Sequence, residues 1–373
     1  MTNSYPDKTK ASNLIFVGNL VSLKDSMQNF GFSQAGILLQ IKFIDFVKPN
    51  KIIALLPLFY RGGKRLEFHT PISFIKNQSI FNGKINYLYR LIFDTCQVLV
   101  LILRENSKNV FFYNIDFQNL FIIMASKFLF RKNVFVMVAD YAYFSSGSVS
   151  RVFKWVLWNL NGVLVLNSNI CVNKNSRLLL GLLYREQVIL NSSGLLNKKI
   201  IIGGSLGKTT GLELALSFFS KKSELTLYVA GRPFRYKEGE MEGLIESYQK
   251  RFLNIIYLGH LDHDEYMKVL NKCDVALSLR DPADDEHNYN FPSKILEYLS
   301  LSKMVVSTKR YPDVKQGVLF YSDFTEVALE ECFKEIYAMS ENEVKMRRLA
   351  IYDYLVDGFT EQRAVNIVEE LIS

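Results

Sequence analysis

The sequence has little cysteine, and the cysteines that it has are dispersed. Its 373 residues include four Cys and four His, and no two Cys form a Cys-x-x-Cys pair. Disulfide-stapled domains and zinc ribbons need regularly spaced cysteines, so both classes are excluded. We expect a reduced, cytoplasmic protein without a structural metal.

Long apolar runs are absent as well. A membrane-spanning helix needs about 20 mostly apolar residues. The longest uncharged stretch, 155–173, is broken by several Asn, and the apolar stretch 85–104 is interrupted by Arg90 and Asp94. The first ten residues lack the apolar segment of a signal peptide. The sequence therefore predicts no membrane span, with 85–104 forming a buried helix or a helix followed by a strand.

Acidic residues are scarce in the first half. Residues 1–185 contain 22 Lys and Arg against 8 Asp and Glu, a net charge of +14, and the remainder contains 23 against 29, a net charge of −6. A basic half indicates an anionic partner, although an evenly solvated basic surface is the plain alternative. No nucleic-acid-binding motif is present, so an anionic membrane surface is the expected partner and nucleic acid is not.

Short apolar strands alternate with helical patterns along the whole chain. This alternation predicts an α/β protein with two doubly wound Rossmann-like domains, each a parallel sheet covered by helices. The expected domains are 1–187 and 188–350, and a final helical segment spans 351–373. Strand predictions are 13–20, 52–58, 109–115, 133–139, 162–167, 198–204, 224–231, 254–259, 274–280 and 304–308.

The stretch IIGGSLGKTT, residues 201–210, invites comparison with an ATP-binding P-loop. That loop has four residues between its first Gly and its Gly-Lys pair, and here only three separate Gly203 from Gly207. Asp274 precedes its strand instead of ending it, so no magnesium-binding Asp is evident. A different phosphate site at the carboxyl end of a strand, or a plain tight turn, explains the stretch better.

A second stretch, NYNFPSKILEYLSLSKMVVST at 288–308, favours a nucleotide ligand. Pro292 suits the first turn of a helix, and Ser293 then lies among free backbone amides that attract anions. Lys294 and Glu297 share one side of that helix. A diphosphate at the helix start would bring a ribose diol to Glu297, although an ordinary helix start with a surface Glu has the same letters.

The segment FPSKILEYLSLSKMVVST resembles the donor-site signature of GT-B glycosyltransferases, the family 4 type of bacterial polysaccharide synthesis. GGSLGK and LYVAGRP resemble other parts of that donor domain. The resemblance covers most of the second half. It implies an acceptor-binding first domain, a second domain that binds a nucleotide-sugar, and a final helix packed back on the first domain.

The resemblance also implies residue roles. Glu297 is expected to hold the donor ribose. The diphosphate is expected to contact the backbone of Gly204 and Ser205 and the side chains of Lys208, Ser293 and Lys294. Where the family often has an acidic residue, this chain has Tyr289, so the neighbouring Asn290 becomes the candidate for contacting the transferred sugar. A second departure is Ser302, at a turn position where Gly is usual.

The resemblance implies a retaining hexosyltransferase that needs no metal and no other cofactor, with a UDP-sugar as the favoured donor. The expected acceptor is a lipid-linked oligosaccharide of capsule, exopolysaccharide or O-antigen synthesis. Asp140, after strand 133–139, is the candidate for orienting or deprotonating the acceptor hydroxyl, and a loop Asp without a role is the alternative. A non-catalytic partner subunit and an ATP-dependent enzyme remain as rival functions.

Two further patterns allow two interpretations each. The Asp262-His263-Asp264 triplet has the form of a metal signature, but Glu265 follows Asp262 at the spacing of a helix cap, which we favour. The helical stretch 148–160 carries Arg, Lys and both Trp. It is either a helix lying on a membrane, as a peripheral protein of the inner leaflet requires, or a core helix.

Overall fold

The computed structural model describes residues 13–20, 34–55, 70–75, 83–139, 148–170, 173–284 and 293–373. Two units make up the chain. The first is Met1–Leu182 together with Glu361–Ser373, and the second is Leu183–Thr360. The domain limits expected from the sequence, and the roles assigned to the domains, stay predictions.

The first unit is organised around one sheet, whose described strands all pair in parallel. The strands are β1 (Leu14–Gly18), β2 (Lys51–Ala54), β3 (Ile72–Phe74), β4 (Asn109–Tyr113), β5 (Asn133–Val138), β6 (Gly162–Val165) and β7 (Ser176–Leu178). Their order is β3-β2-β1-β4-β5-β6-β7. The direction of winding reverses after β1, which makes the sheet doubly wound.

Helices cover this sheet. They are α1 (Gln34–Val47), α2 (Gly83–Arg104), α3 (Phe117–Met124) with a π-helical turn (Ala125–Leu129), and α4 (Ser148–Trp158). The last helix of the chain, α11 (Glu361–Ile372), contacts α1 and strands β6 and β7. The stretch 85–104 is thus helical throughout, but it is not the buried helix that was predicted, because Ile92, Val100 and Leu103 are exposed.

The centre of the first unit is a ladder of phenylalanines. The strand register places Phe16 of β1 beside Phe111 of β4, and Phe111 beside Phe135 of β5. The ring centroids are 6.4 Å and 6.3 Å apart, and Phe43 of α1 packs 4.7 Å from Phe111. All four side chains are buried. Aromatic side chains bury large areas, so this ladder fixes α1 against the three central strands.

The second unit repeats the arrangement. Its strands are β8 (Lys199–Leu206), β9 (Thr226–Pro233), β10 (Ile255–Tyr257), β11 (Val275–Ser278), β12 (Met304–Ser307) and β13 (Phe320–Tyr321). They pair in parallel in the order β10-β9-β8-β11-β12-β13. The helices are α5 (Leu212–Ser220), α6 (Glu240–Gln249), α7 (His263–Lys272), α8 (Ser293–Ser300), α9 (Glu326–Ala338) and α10 (Glu341–Phe359). The predicted α/β class with two doubly wound sheets is confirmed.

A buried ion pair joins α10 to the amino end of β11. The Arg348 side chain is fully buried, and it donates to Asp274 Oδ1 at 2.7 Å and to the Ser193 carbonyl at 2.6 Å. The other oxygen of Asp274 accepts from the Asn197 amide. Asp274 therefore has a structural partner and lies at the end of β11 opposite to the carboxyl edge, which argues against a magnesium-binding role.

The turn after α8 explains why Ser302 can replace a glycine. Ser302 adopts a left-handed backbone with φ of +55° and is almost fully buried. Its hydroxyl donates to the Ile189 carbonyl and accepts from the Asn191 amide. These bonds hold the segment that enters the second unit, and they offset the strain of a left-handed non-glycine residue, typically about 1–3 kcal/mol.

Arg348→Met is expected to lower the free energy of unfolding by about 2–4 kcal/mol, because the largely buried Asp274 would lose its charged partner. Urea denaturation measures the loss. Lys345→Met, on the exposed side of the same helix, is the matched control and should change the stability by less than about 1 kcal/mol. A similar small effect for both variants would contradict the structural role of the pair.

Ser302→Ala is expected to destabilise the protein by about 1–3 kcal/mol, because it removes both hydrogen bonds and keeps the strained backbone. Ser302→Gly removes the same bonds but accepts the left-handed conformation freely, so its loss should be smaller. Thermal and urea unfolding of the two variants test this order. A glycine variant less stable than the alanine variant would refute it.

Candidate functional site

Strand β8 brings two residues without side chains to the carboxyl edge of the second sheet. The strand runs through Gly203 and Gly204 to Leu206, so the turn to α5 comes after Leu206 and not directly after the glycine pair as the predicted strand 198–204 implied. Gly204 has φ of +107°. A Cβ on its strand neighbour Gly231 would lie 2.0 Å from the Gly204 carbonyl oxygen. The backbones of β8 and β9 can approach this closely only because position 231 is glycine.

Lys294 lies beside Gly204. A Cβ at Gly204 would be 3.8 Å from both Cγ and Cε of Lys294. The Lys294 ammonium is 2.6 Å from Glu297 Oε2 and 3.8 Å from the centre of the Tyr266 ring. Ser293 is the exposed first residue of α8. The structure thus brings together four of the six predicted donor residues or their backbones: Gly204, Ser293, Lys294 and Glu297.

Two basic side chains that the sequence did not single out as ligands, Arg232 and His260, lie near the same place. Arg232 near the end of β9 is 2.8 Å from His260 Nε2. Burial lowers the pKa of His260, and the positive charges of Arg232 and Lys294 lower it further. Lys294 lies near enough to this imidazole to lower its pKa, so Arg232, His260 and Lys294 form one basic cluster. A bound anion would stabilise the positive charges of this cluster.

Two tyrosines, Tyr266 and Tyr298, support the Lys294 side chain of this cluster. Tyr266 of α7 is buried, and its hydroxyl bonds to that of Tyr298 of α8 at 3.2 Å. A Cβ on Gly203 would lie 2.5 Å from the Tyr266 hydroxyl, so the ring occupies the space that a side chain on β8 would need. The Tyr266 face then holds the Lys294 ammonium through a cation–π contact. No periodicity in the sequence pointed to Tyr266.

Lys208 and Ser205 make their recognisable contacts with residues outside this cluster. The Lys208 ammonium is exposed and lies 3.8 Å from Glu240 Oε1 and 5.7 Å from the centre of the Tyr236 ring. The Ser205 carbonyl accepts from the Thr210 hydroxyl, which also accepts from the Gly207 amide. Thr210 therefore stabilises the turn between β8 and α5 through hydrogen bonds within that turn. Any contact of Lys208 with a diphosphate remains a prediction.

Three positions from the sequence analysis, Asp140, Tyr289 and Asn290, lie outside the described residues. Asp262 is described, and its side chain accepts from the Glu265 amide as the cap of α7, which confirms the capping interpretation. His263 follows it and lies 4.0 Å from Glu297 Oε1. In the described part of the chain, no group of three or more His, Cys, Asp and Glu residues is arranged to hold a metal ion.

Known structures share this architecture over nearly the whole chain. Sucrose-phosphate synthase from Thermosynechococcus elongatus is 12% identical with a TM-score of 0.70, covering 96% of this chain and 98% of the other. HepE of Anabaena, solved in complex with UDP-glucose, is 13% identical with a TM-score of 0.67, covering 96% and 99%. The lipopolysaccharide outer core galactosyltransferase WaaB is 12% identical with a TM-score of 0.63, covering 96% and 98%.

These likenesses show the fold. The chain has the two-domain GT-B fold of glycosyltransferases, as the resemblance implied. No protein-family profile matches the sequence, and no curated protein is significantly similar to it. Among the described helices, none combines the length and the apolar character that crossing a bilayer requires.

Gly231→Ala tests the close approach of β8 and β9. The added methyl would meet the Gly204 carbonyl, so the strands must separate, and we expect a loss of at least about 2 kcal/mol in the free energy of unfolding. Gly243→Ala is the control, because it lies in the interior of α6 with no atom within 4 Å of the new methyl. That change should stabilise the protein by about 0.5–1 kcal/mol. Urea unfolding that ranked the variants in the opposite order would contradict the geometry.

Proposed function

We propose that the chain is a glycosyltransferase that moves a sugar from a nucleoside-diphosphate sugar to an oligosaccharide acceptor. One observation carries the proposal. At the carboxyl edge of the second sheet, Lys294 at the start of α8 lies beside the Gly204 backbone and pairs with Glu297 one turn further along, and Arg232 near the end of β9 contacts His260. In open parallel sheets ligands bind at this edge, and a helix start supplies free amides for an anion.

The proposed chemistry uses each group for one part of the donor. Lys294, the Gly204 and Ser205 backbone and the amides near Ser293 bind the diphosphate. They stabilise the charge that develops on it as the sugar leaves. Glu297 accepts hydrogen bonds from the ribose hydroxyls. Because Lys294 now pairs with Glu297, donor binding would exchange that pair for two new partners, the ammonium for phosphate and the carboxylate for ribose.

The finer details follow the resemblance and are proposals as well. We infer a retaining hexosyl transfer without an obligatory metal, a UDP-sugar as the favoured donor, and a lipid-linked oligosaccharide acceptor of capsule, exopolysaccharide or O-antigen synthesis. The enzyme would act as a peripheral protein at the cytoplasmic face of the membrane. Asp140 would orient the acceptor hydroxyl, Asn290 would contact the transferred sugar, and Lys208 would assist the diphosphate. The UDP-glucose complex of HepE and the activity named for WaaB support this direction.

A non-catalytic subunit with the same fold is the second candidate, favoured by Tyr289 at a position where the resembled family often has an acidic residue. The ATP-dependent alternative has less support. The spacing from Gly203 to Gly207 is one residue shorter than in a P-loop, and Asp274 pairs with Arg348 at the amino end of β11, away from the edge where a magnesium-bound triphosphate would lie.

Calorimetry with UDP, GDP, dTDP, ADP and ATP, each with and without Mg²⁺, tests the function. We expect one diphosphate, UDP first, to bind without metal, and the sugar donors of that base then to be hydrolysed or transferred. Binding of ATP with Mg²⁺ alone would refute the transferase. Absence of nucleotide binding would leave the non-catalytic subunit.

Glu297→Gln is expected to raise the donor KM at least about tenfold, because hydrogen bonds to a charged acceptor contribute about 1.5–3 kcal/mol. Glu331→Gln, at an exposed position of α9, is the matched control and should leave the donor kinetics unchanged. Initial rates at varied donor concentration measure both. A donor KM of Glu297→Gln equal to that of the native protein would remove Glu297 from the site.

The diphosphate is expected to bind more tightly as the pH falls from about 8 to about 6. Burial and nearby cations lower the pKa of free His260, and a bound anion would raise that pKa, so binding is expected to take up a proton. Calorimetry in buffers of different ionisation heat measures this uptake. His260→Gln should flatten the pH dependence, and an unchanged proton uptake in that variant would place the titrating group elsewhere.

A further inference from the structure

The helices that follow β3, β4 and β5 form one layer of the first unit. Helix α2 contacts α3 and the π-helical turn. Phe117 of α3 packs edge-on against Phe153 of α4, and Phe128 of the π-helical turn stacks on Trp155 of α4 with ring centroids 5.7 Å apart. These contacts join α2, α3, the π-helical turn and α4 into a continuous outer surface, here called the aromatic face.

The aromatic face exposes an unusual amount of apolar side chain. Of the 17 large hydrophobic residues that are exposed in the described part of the chain, ten belong to these four elements, and the others are dispersed over the second unit. Trp158 is 65% exposed and Leu129 is 71% exposed. The ten are Ile92, Val100, Leu103, Phe117, Phe121, Phe128, Leu129, Val152, Trp155 and Trp158. Monomeric soluble proteins seldom gather such residues on one surface without a partner.

Basic residues accompany the aromatic face, and acidic ones do not. The sequence from 83 to 161 contains nine Lys and Arg but only four acidic residues. Of the four, Asp94 is buried, Glu105 pairs with Lys51, Asp116 caps α3, and Asp140 lies outside the described residues. Five described cations are exposed, namely Arg104, Lys108, Arg131, Arg151 and Lys154.

The periodicity of α4 places aromatic and basic residues together on its outer side. Arg151, Trp155 and Trp158 are spaced as one helical stripe and are exposed. Phe153, Val156 and Leu157 are fully buried on the inner side. Aromatic rings with a polar edge settle at the level of lipid headgroups, and neighbouring Lys and Arg are attracted to anionic lipids. The sequence-based alternative of a core position for the two Trp is therefore wrong.

We propose that the aromatic face docks on the surface of an anionic phospholipid bilayer, with Trp155 and Trp158 at the headgroup level. Charge decides between this partner and a second copy of the chain. A symmetric contact of two aromatic faces would bring two basic surfaces together, and the described residues of 83–161 offer few acidic side chains to offset them. An anionic leaflet is complementary to both the apolar and the basic side chains. The inference deepens the proposed function, because a lipid-linked acceptor would be held at that surface.

Intrinsic fluorescence of the full chain is a direct test, because its two Trp are both on the aromatic face. Vesicles of phosphatidylcholine with phosphatidylglycerol should shift the emission to shorter wavelength, and lipids brominated on the upper acyl chain should quench it. Vesicles of phosphatidylcholine alone should bind at least about tenfold more weakly, and rising salt should release the protein.

Two pairs of variants separate the apolar from the basic contribution in vesicle co-sedimentation. Phe121→Ser with Leu129→Ser, and Arg151→Glu with Lys154→Glu, should each weaken binding at least about tenfold. The matched controls are Leu253→Ser with Val327→Ser, and Lys334→Glu with Lys345→Glu, at exposed positions of the second unit. They make the same chemical changes and should bind like the native protein. Circular dichroism checks that every variant is folded.

Three results would overturn the proposal. One is native protein that does not bind anionic vesicles at low salt. Another is vesicle binding that the control pairs weaken as much as the face variants do. The third is light scattering that shows a dimer which Phe121→Ser with Leu129→Ser dissociates, since the face would then belong to a second copy. Diphosphate calorimetry on the same variants keeps the two ideas apart, because it tests the donor site whether or not vesicles bind.

Discussion

At Gly203 the Tyr266 hydroxyl lies 2.5 Å from where a Cβ would be, and at Gly231 the Gly204 carbonyl is closer still. The site in the second unit depends on these two approaches. Without side chains at the end of β8, α7 can place the Tyr266 ring against the strand, and that ring supports Lys294. A methyl at either position would move a strand or a helix. The glycines therefore position the cations of the site as well as its backbone.

The Lys294–Glu297 pair is the electrostatic consequence of that packing. Both side chains are part-exposed, so the pair adds little stability, and separating its members is inexpensive. Arg232 and Lys294 both lower the pKa of His260, and Lys294 pairs with Glu297. Basic side chains and a carboxylate in one region suit a ligand that brings phosphate charge and hydroxyl donors together.

Periodicity predicted most of the fold because buried parallel strands are continuous apolar runs with helices between them. The very short strands β3, β7 and β13 carry too few residues for a pattern. The extension of β8 beyond Gly204 to Leu206 was missed because glycine pairs indicate a turn, whereas here they allow close strand contact. At the site, Ser293, Lys294 and Glu297 were predicted together from their helical spacing within one stretch of sequence. Arg232, His260 and Tyr266 come from three different elements, and only the sheet order brings them together.

For the two Trp residues, periodicity alone could not distinguish a core position from a surface position. A helical stripe of aromatic residues predicts only that one side of α4 is apolar, and the same stripe fits a core. Here α4 has a complete buried side in Phe153, Val156 and Leu157, so the Trp residues form a second apolar stripe beside Arg151 and Lys154. Such a helix buries its uncharged apolar side against the protein. Its other side, which is apolar and basic, would be covered by an anionic surface. Exposed cations such as Arg151 and Lys154 then account for part of the positive charge of the first half.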